Sequence, residues 1–438
     1  MPSLDWDFIA YHLPFALKRF HMTTFEVSDK LQLFYVGFPP LAQYIQGLIA
    51  FIFQDPFKAP LASFVFLTFF LMTLKFCFDW FSILLFLGLF VTVPLNILHL
   101  RSGYIDIYLA LSLAACFFTL FGTYLGIDSR KSFKVKMLFV AWTLITMLLK
   151  YQGWPFVAIF CALFAWLELK SSNSTMRIPD KKDAALYLIL ILVVGYWPLR
   201  NLLINGSIVY PLKTSFLFYP HHDLTYLDPA EYTSFPDALS HYSRFERYLY
   251  SVFEIGRFTS NEYYLYSIDQ FRPAGNISIN NRMGGWNLVT ISTILTVSIL
   301  TFVKCKKTRL PYFVFLFLFL LTGLMPQSHE MRYWLFIPMI GICLFQYSVA
   351  KKLISGFVIL IFIVVIPFNL FHLWSRLKIQ SYESFEPLDY FPPSSLEYIK
   401  KRRTNAVNRE PVECVPTTQH PTLFWSGKNF SEFKVKDC

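Results

Sequence analysis

Ten apolar stretches at or near the length of a bilayer crossing follow one another along the chain, at 61–78, 81–98, 103–123, 135–149, 154–168, 184–200, 286–303, 310–326, 333–349 and 353–373. A spanning helix needs roughly 20 residues, with ~17 as a lower bound. The 438 residues are 55% hydrophobic and only 15% charged, with a mean hydropathy of +0.45. Such a composition excludes an ordinary soluble domain and predicts an all-α, multi-pass membrane protein. The net charge of +11 does not indicate nucleic acid, because the basic residues lie in short clusters between apolar runs. The segments 135–149 and 154–168 are short for spans, yet Lys150 to Gly153 leaves room only for a tight turn between them. Both are expected to end at a polar cavity.

The basic clusters orient the bundle. Arg130, Lys131, Lys134 and Lys136 form one, and Lys170, Arg177, Lys181 and Lys182 a second. Lys304, Lys306, Lys307 and Arg309 form a third, and Lys351 and Lys352 a fourth. Counted along ten spans, all four face the same side, which the positive-inside rule makes cytoplasmic. The opposite, extracytoplasmic side then receives residues 1–60 as an acidic first loop with interfacial helices. A bundle over 61–373 includes the extracytoplasmic loop 201–285, and 374–438 forms a small extracytoplasmic tail. Residues 38–53 are apolar but carry Gln43 and Gln46, and are expected to lie along the outer face rather than to cross it. With residues 1–33 outside, a further helix ahead of them is expected to insert the chain. Cys414 and Cys438 either close a disulfide in this compartment or remain thiols.

Ionisable residues gather at the helix ends of that outer side. Asp5, Asp7 and His12 precede the interfacial helix, Asp106 opens a span, and Lys150 sits in a turn. Arg200 follows Trp197-Pro198, and His329, Glu330 and Arg332 precede Tyr333. Charge at a membrane boundary is costly and points to function. Carboxylates facing cations suit transfer from an anionic lipid, where a base takes a proton from an acceptor hydroxyl while cations hold the departing phosphate.

Trp6-Asp7-x-x-x-Tyr11-His12-Leu13-Pro14 resembles the first-loop motif of GT-C membrane glycosyltransferases. This superfamily includes protein O-mannosyltransferases and aminoarabinose transferases. In order after it, Pro39-Pro40-Leu-Ala-Gln is similar to the family's juxtamembrane helix, and Gly103-Tyr104-Ile-Asp106 to its second acidic motif. Lys150-Tyr-Gln-Gly153 is similar to its lysine-glycine turn, Arg200-Asn201 through Tyr210-Pro211 to an arginine-to-proline stretch, and Met331-Arg332-Tyr333 to a helix start. The family carries one more helix before the acidic loop. The resemblance implies a GT-C-like bundle that moves a sugar from a polyprenyl-phosphate donor to an acceptor lipid, glycan or protein, inverting the anomeric centre. It makes Asp7 the base, with Asp5, His12 and Asp106 assisting. Lys150, Arg200, Arg332 and His329 would serve the donor phosphate, with Tyr11, Tyr104, Glu330 and Tyr333 beside them. A bacterial inner membrane is the expected location in preference to the endoplasmic reticulum, with membrane lipids as further partners and nucleic acid as none. No cofactor is demanded, although Asp5, Asp7 and Asp106 offer the oxygen ligands a divalent cation takes.

Plainer readings stand beside these. Asp7 also suits an N-cap of a helix over 8–20, Asp106 suits a helix N-terminus through the macrodipole, and Arg200 suits snorkelling. Glu330 and Arg332 suit a mutual pair that leaves His329 in solvent. At the level of function, a polysaccharide ligase or polymerase and a lipid-linked sugar flippase remain alternatives.

Overall fold

In a computed structural model, residues 12–22, 29–76, 78, 80–101, 103–122, 132–171, 181–210, 239–253, 264–265, 282–306 and 309–350 are described. Asp5, Asp7, Tyr11, the expected span 353–373 and the tail 374–438 lie outside them. The described chain is helical almost throughout. Helices α1 (Leu13–Arg19), α2 (Asp29–Gly37) and α3 (Leu41–Phe53) precede α4 (Ala62–Lys75). Next come α5 (Trp80–Phe90), α6 (Pro94–Arg101), α7 (Asp106–Leu120), α8 (Ser132–Leu149), α9 (Trp154–Ser171) and α10 (Lys181–Asn205). After α11 (Arg244–Val252) come α12 (Leu288–Lys304), α13 (Arg309–Leu324) and α14 (Phe336–Ala350). A two-residue strand, β1 (Tyr264–Leu265), pairs in parallel with β2 (Arg282–Met283).

Helix α7 is the axis of the bundle. Every one of its residues from Asp106 to Leu120 is buried, and α4, α8, α9 and α14 pack against it. A helix apolar all round has no solvent face to offer, so burial on every side is the arrangement its sequence allows. Its interior serines and threonines turn inward on the backbone: Ser112 donates to the Tyr108 carbonyl at 2.7 Å and Thr119 to that of Ala115 at 2.7 Å.

The outer helices are inverted relative to those of a water-soluble protein. Helix α3 buries Ala42, Gln43, Gln46, Gly47 and Ala50, and exposes Tyr44, Leu48, Phe51, Ile52 and Phe53. Helix α10 exposes Leu188, Ile191, Leu192, Leu199 and Leu203, the last at 70%. An apolar rim around a core that holds the polar groups is compatible with a lipid surround.

Among the described residues, three helical stretches are long and apolar enough to cross a membrane: Lys58–Lys75, Tyr151–Lys170 and Ala184–Asn205. Shorter apolar helices, 10–17 residues, are Leu41–Phe53, Asp106–Leu120, Leu288–Lys304, Arg309–Leu324 and Phe336–Val349. Nine of the ten expected spans fall on described helices, and one expectation is corrected. The run 81–98 is not a continuous span: Ser82–Phe90 and Pro94–Arg101 meet at 93°. Pro94 lacks an N–H, which suits a helix start and not a helix interior. The carbonyls freed at the bend are taken locally, with Thr92 donating to Leu89 at 2.6 Å and Asn96 to Phe90 at 3.0 Å. The Thr92 hydroxyl also meets Thr290 of α12 at 3.0 Å.

Candidate functional site

The short connection from α6 to α7 brings a carboxylate to the N-terminus of the central helix. Gln46 of α3 fixes that connection by donating to the Gly103 carbonyl at 2.6 Å and to the Tyr108 hydroxyl at 3.2 Å. Asp106 then lies in the first turn of α7, where the helix dipole favours negative charge. It is 4% exposed. Lys150, at the end of α8, donates to its Oδ1 at 2.6 Å, and His99 Nδ1 of α6 stands 4.0 Å from its Oδ2.

The turn that presents Lys150 depends on a glycine. Lys150 is extended, Tyr151–Gly153 forms a single 3₁₀ turn, and α9 starts at once. A Cβ on Gly153 would meet Thr146 Cγ2 at 2.7 Å and Leu109 Cδ1 at 2.8 Å, inside contact distance of both neighbouring helices. Only glycine lets α8, α9 and α7 close this tightly around the carboxylate.

A second ion pair sits alongside. Arg332 donates through Nε to Glu330 at 3.1 Å and through Nη2 to the Tyr333 hydroxyl at 2.6 Å. Its guanidinium lies 4.6 Å from the Tyr333 ring centre and 5.5 Å from that of Tyr104. Tyr104 in turn packs on the His99 ring at 4.9 Å, and the Lys150 ammonium lies 4.8 Å from the Tyr333 ring centre. The two ion pairs therefore share a wall of two tyrosines and one histidine.

Of the residues singled out from sequence, Asp106, Lys150, Arg332, Tyr104, Glu330 and Tyr333 are thus brought together. His329 lies next to Glu330 and is buried, so the expectation of a solvated histidine is corrected; its carbonyl accepts from Ser251 Oγ of α11 at 2.5 Å. The pairing of Glu330 with Arg332 is as the plainer reading had it. Arg200 belongs elsewhere. It contacts the Val36 carbonyl at 3.4 Å, Asn201 Oδ1 at 2.8 Å and the Trp197 ring at 4.7 Å. His12, immediately before α1, is buried. Helix α1 packs on α3, which ties the first segment to the connection carrying Asp106. Asp5, Asp7 and Tyr11 fall outside the described residues.

Sequence reasoning passed over His99, and the signal was an imidazole closing an apolar run three residues after Asn96. Among the described residues there is no group of three or more His, Cys, Asp or Glu side chains able to hold a metal ion. Chemically, the cluster is a largely buried, charge-matched set of two anions and two cations. Comparisons with protein-family models, with curated proteins and with solved structures found no match in any of the three.

Proposed function

We propose that the chain is an integral membrane glycosyltransferase of the GT-C type, with about ten spans. It moves a sugar from a polyprenyl-phosphate donor to an acceptor on the extracytoplasmic face. The observation that supports this reading best is the convergence of Asp106, Lys150 and Arg332 at one place, although they come from three segments far apart in sequence. A transfer site at the bilayer boundary needs fixed dipoles and charges where water is excluded. In this reading Asp106, already accepting from an ammonium, serves as an acceptor for sugar or acceptor hydroxyls. Proton removal falls to Asp7. Lys150 has donors left beyond the one it gives to Asp106, and Arg332 brings a second positive charge to the same wall.

The test is sugar transfer in membranes supplied with polyprenyl-phosphate-linked hexoses and pentoses. Asp7→Asn is expected to lower transfer by at least 100-fold at unchanged expression, a loss in the range for a general base. Full transfer by that variant refutes the proposal.

The bend between α5 and α6 favours a second reading, a lipid-linked sugar flippase, because transporters use broken helices at their binding sites. That reading predicts movement of lipid-linked sugar between leaflets of proteoliposomes without any acceptor.

A further inference from the structure

Two arginines at the junction of the first segment with α10 carry charge that no described carboxylate answers. Arg19 of α1 donates through Nε to Gln43 Oε1 at 2.7 Å and through Nη2 to the Tyr35 carbonyl at 3.0 Å. Its guanidinium is held between the rings of Tyr35 and Tyr44, at 4.4 Å and 5.0 Å from their centres. Arg200 has the neutral partners given above, and the two arginines reach carbonyls of consecutive residues at the end of α2, Arg19 that of Tyr35 and Arg200 that of Val36. The Lys18 ammonium adds a third positive charge 5.0 Å from the Tyr35 ring centre. Burial holds the Arg19 guanidinium below its ordinary value, with the nearby Arg200 acting in the same direction.

The plain explanation is that these arginines cap α2. They do take the carbonyls of Tyr35 and Val36, while Gly37 receives Trp197 at 3.1 Å, Asn201 at 3.2 Å and the Tyr151 hydroxyl. Among the described residues, capping leaves most of the charge unmatched. A helix C-terminus carries roughly half a negative charge, against two guanidiniums. A guanidinium also has five N–H donors; Arg19 spends about three of them on Gln43, the Tyr35 carbonyl and Tyr44, and Arg200 about two on Val36 and Asn201, so each keeps donors beyond its contacts among the described residues. Lys150 and Arg332, by contrast, are each matched by a carboxylate.

We propose that Arg19 and Arg200, with Lys18 at the rim, form the seat of a lipid-borne phosphate ester. The inference deepens the transferase reading, on which its link to a donor rests, by moving the donor phosphate away from the charge-matched cations. Planar guanidiniums held by aromatic rings suit the bidentate recognition of phosphate oxygens. The exposed apolar side chains of α3 and α10 flank the same junction and suit the lipid tail. Tyr151 joins the two places: its hydroxyl accepts from Asn201 beside Arg200 at 2.8 Å, and its backbone follows Lys150.

The test uses the full chain purified in detergent and measures binding of farnesyl phosphate, dioctanoyl phosphatidylglycerol, inorganic phosphate and farnesol. Farnesyl phosphate is expected to bind at least 10-fold more weakly to Arg19→Gln and to Arg200→Gln, with part of the loss restored in Arg19→Lys. Farnesol binding is expected to be unchanged. A preference for farnesyl phosphate over phosphatidylglycerol identifies an isoprenyl donor, and equal binding identifies a bilayer headgroup; both support a lipid-phosphate seat. Inorganic phosphate binding as tightly as either lipid overturns it. Unchanged affinity in both glutamine variants also overturns it. Binding lost in Arg19→Gln while Asp7→Asn retains full transfer refutes the transferase reading and leaves this one standing.

Discussion

The ion pair between Asp106 and Lys150 makes an asymmetric prediction about stability. At 2.6 Å and an effective dielectric constant of ~20, the gross attraction is about 6 kcal/mol. Desolvation opposes most of it, so the useful quantity is the cost of stranding one partner, typically about 3–5 kcal/mol in a buried pair. The two partners are not equally buried: Asp106 is 4% exposed and the Lys150 side chain 24%. In Asp106→Asn the stranded ammonium can turn towards water, and a loss of about 1–2 kcal/mol is expected. In Lys150→Met the carboxylate has no such exit. Its cost is bounded by that of taking up a proton at pH 7, about 1.4 kcal/mol for each of roughly three pH units above a reference carboxyl, or about 4 kcal/mol.

The measurement is the apparent unfolding midpoint in detergent for both single variants and the double variant, at pH 7.5 and pH 5.5. Lys150→Met is expected to be the least stable, and adding Asp106→Asn to it is expected to raise the midpoint. Lowering the pH is expected to narrow its gap to wild type, since the stranded carboxyl is neutralised more cheaply as the pH falls towards about 3.9. Additive losses in the double variant, or a milder effect in Lys150→Met than in Asp106→Asn, would refute the reasoning. Either result would mean that the pair is not the buried, mutually dependent unit described above.

Gly153→Ala is expected to destabilise by about 1–3 kcal/mol, because its Cβ falls inside contact distance of Thr146 and Leu109; Gly195→Ala, whose Cβ meets nothing within 4 Å, is the control in the same midpoint assay. Helix α11 supplies a pH prediction outside the apolar helices. Ser243 and Glu246 form a reciprocal cap in which the Ser243 backbone N–H donates to Glu246 at 2.7 Å, and these bonds hold the carboxyl below its ordinary value. A depressed carboxyl contributes above its unfolded value and loses that contribution as the pH falls through the folded one. Amide protection over Arg244–Val252, taken relative to the intrinsic exchange rate at each pH, is therefore expected to fall below about pH 4.3, and Glu246→Gln, which cannot titrate, is expected to remove that dependence.

Much of this arrangement was legible in the residues. Apolar length alone locates α4, α7, α9, α10 and α12 to α14, because a run of that length has few other folded solutions. The meeting of Asp106, Lys150 and Arg332 follows from counting helix ends, since alternate ends of an antiparallel bundle share a level. The bend at Val91–Val93 is harder to see, because Val-Thr-Val-Pro reads as one more stretch of apolar run. Only Pro94 marks it; the freed carbonyls are taken by Thr92 and Asn96 of the same run, and Thr290 of α12 meets Thr92 from across the bundle. Arg200 shows the sharper limit. On α10 it reads as a headgroup or phosphate ligand, whereas its nearest partner across the fold is the end of α2, some 164 residues earlier. That contact is invisible locally, yet it places Arg200 beside Arg19 and not beside Arg332. The cations that a local reading groups by membrane level thus divide by charge balance: those with carboxylate partners surround Asp106, and those without are left to seek an anion from outside the described chain.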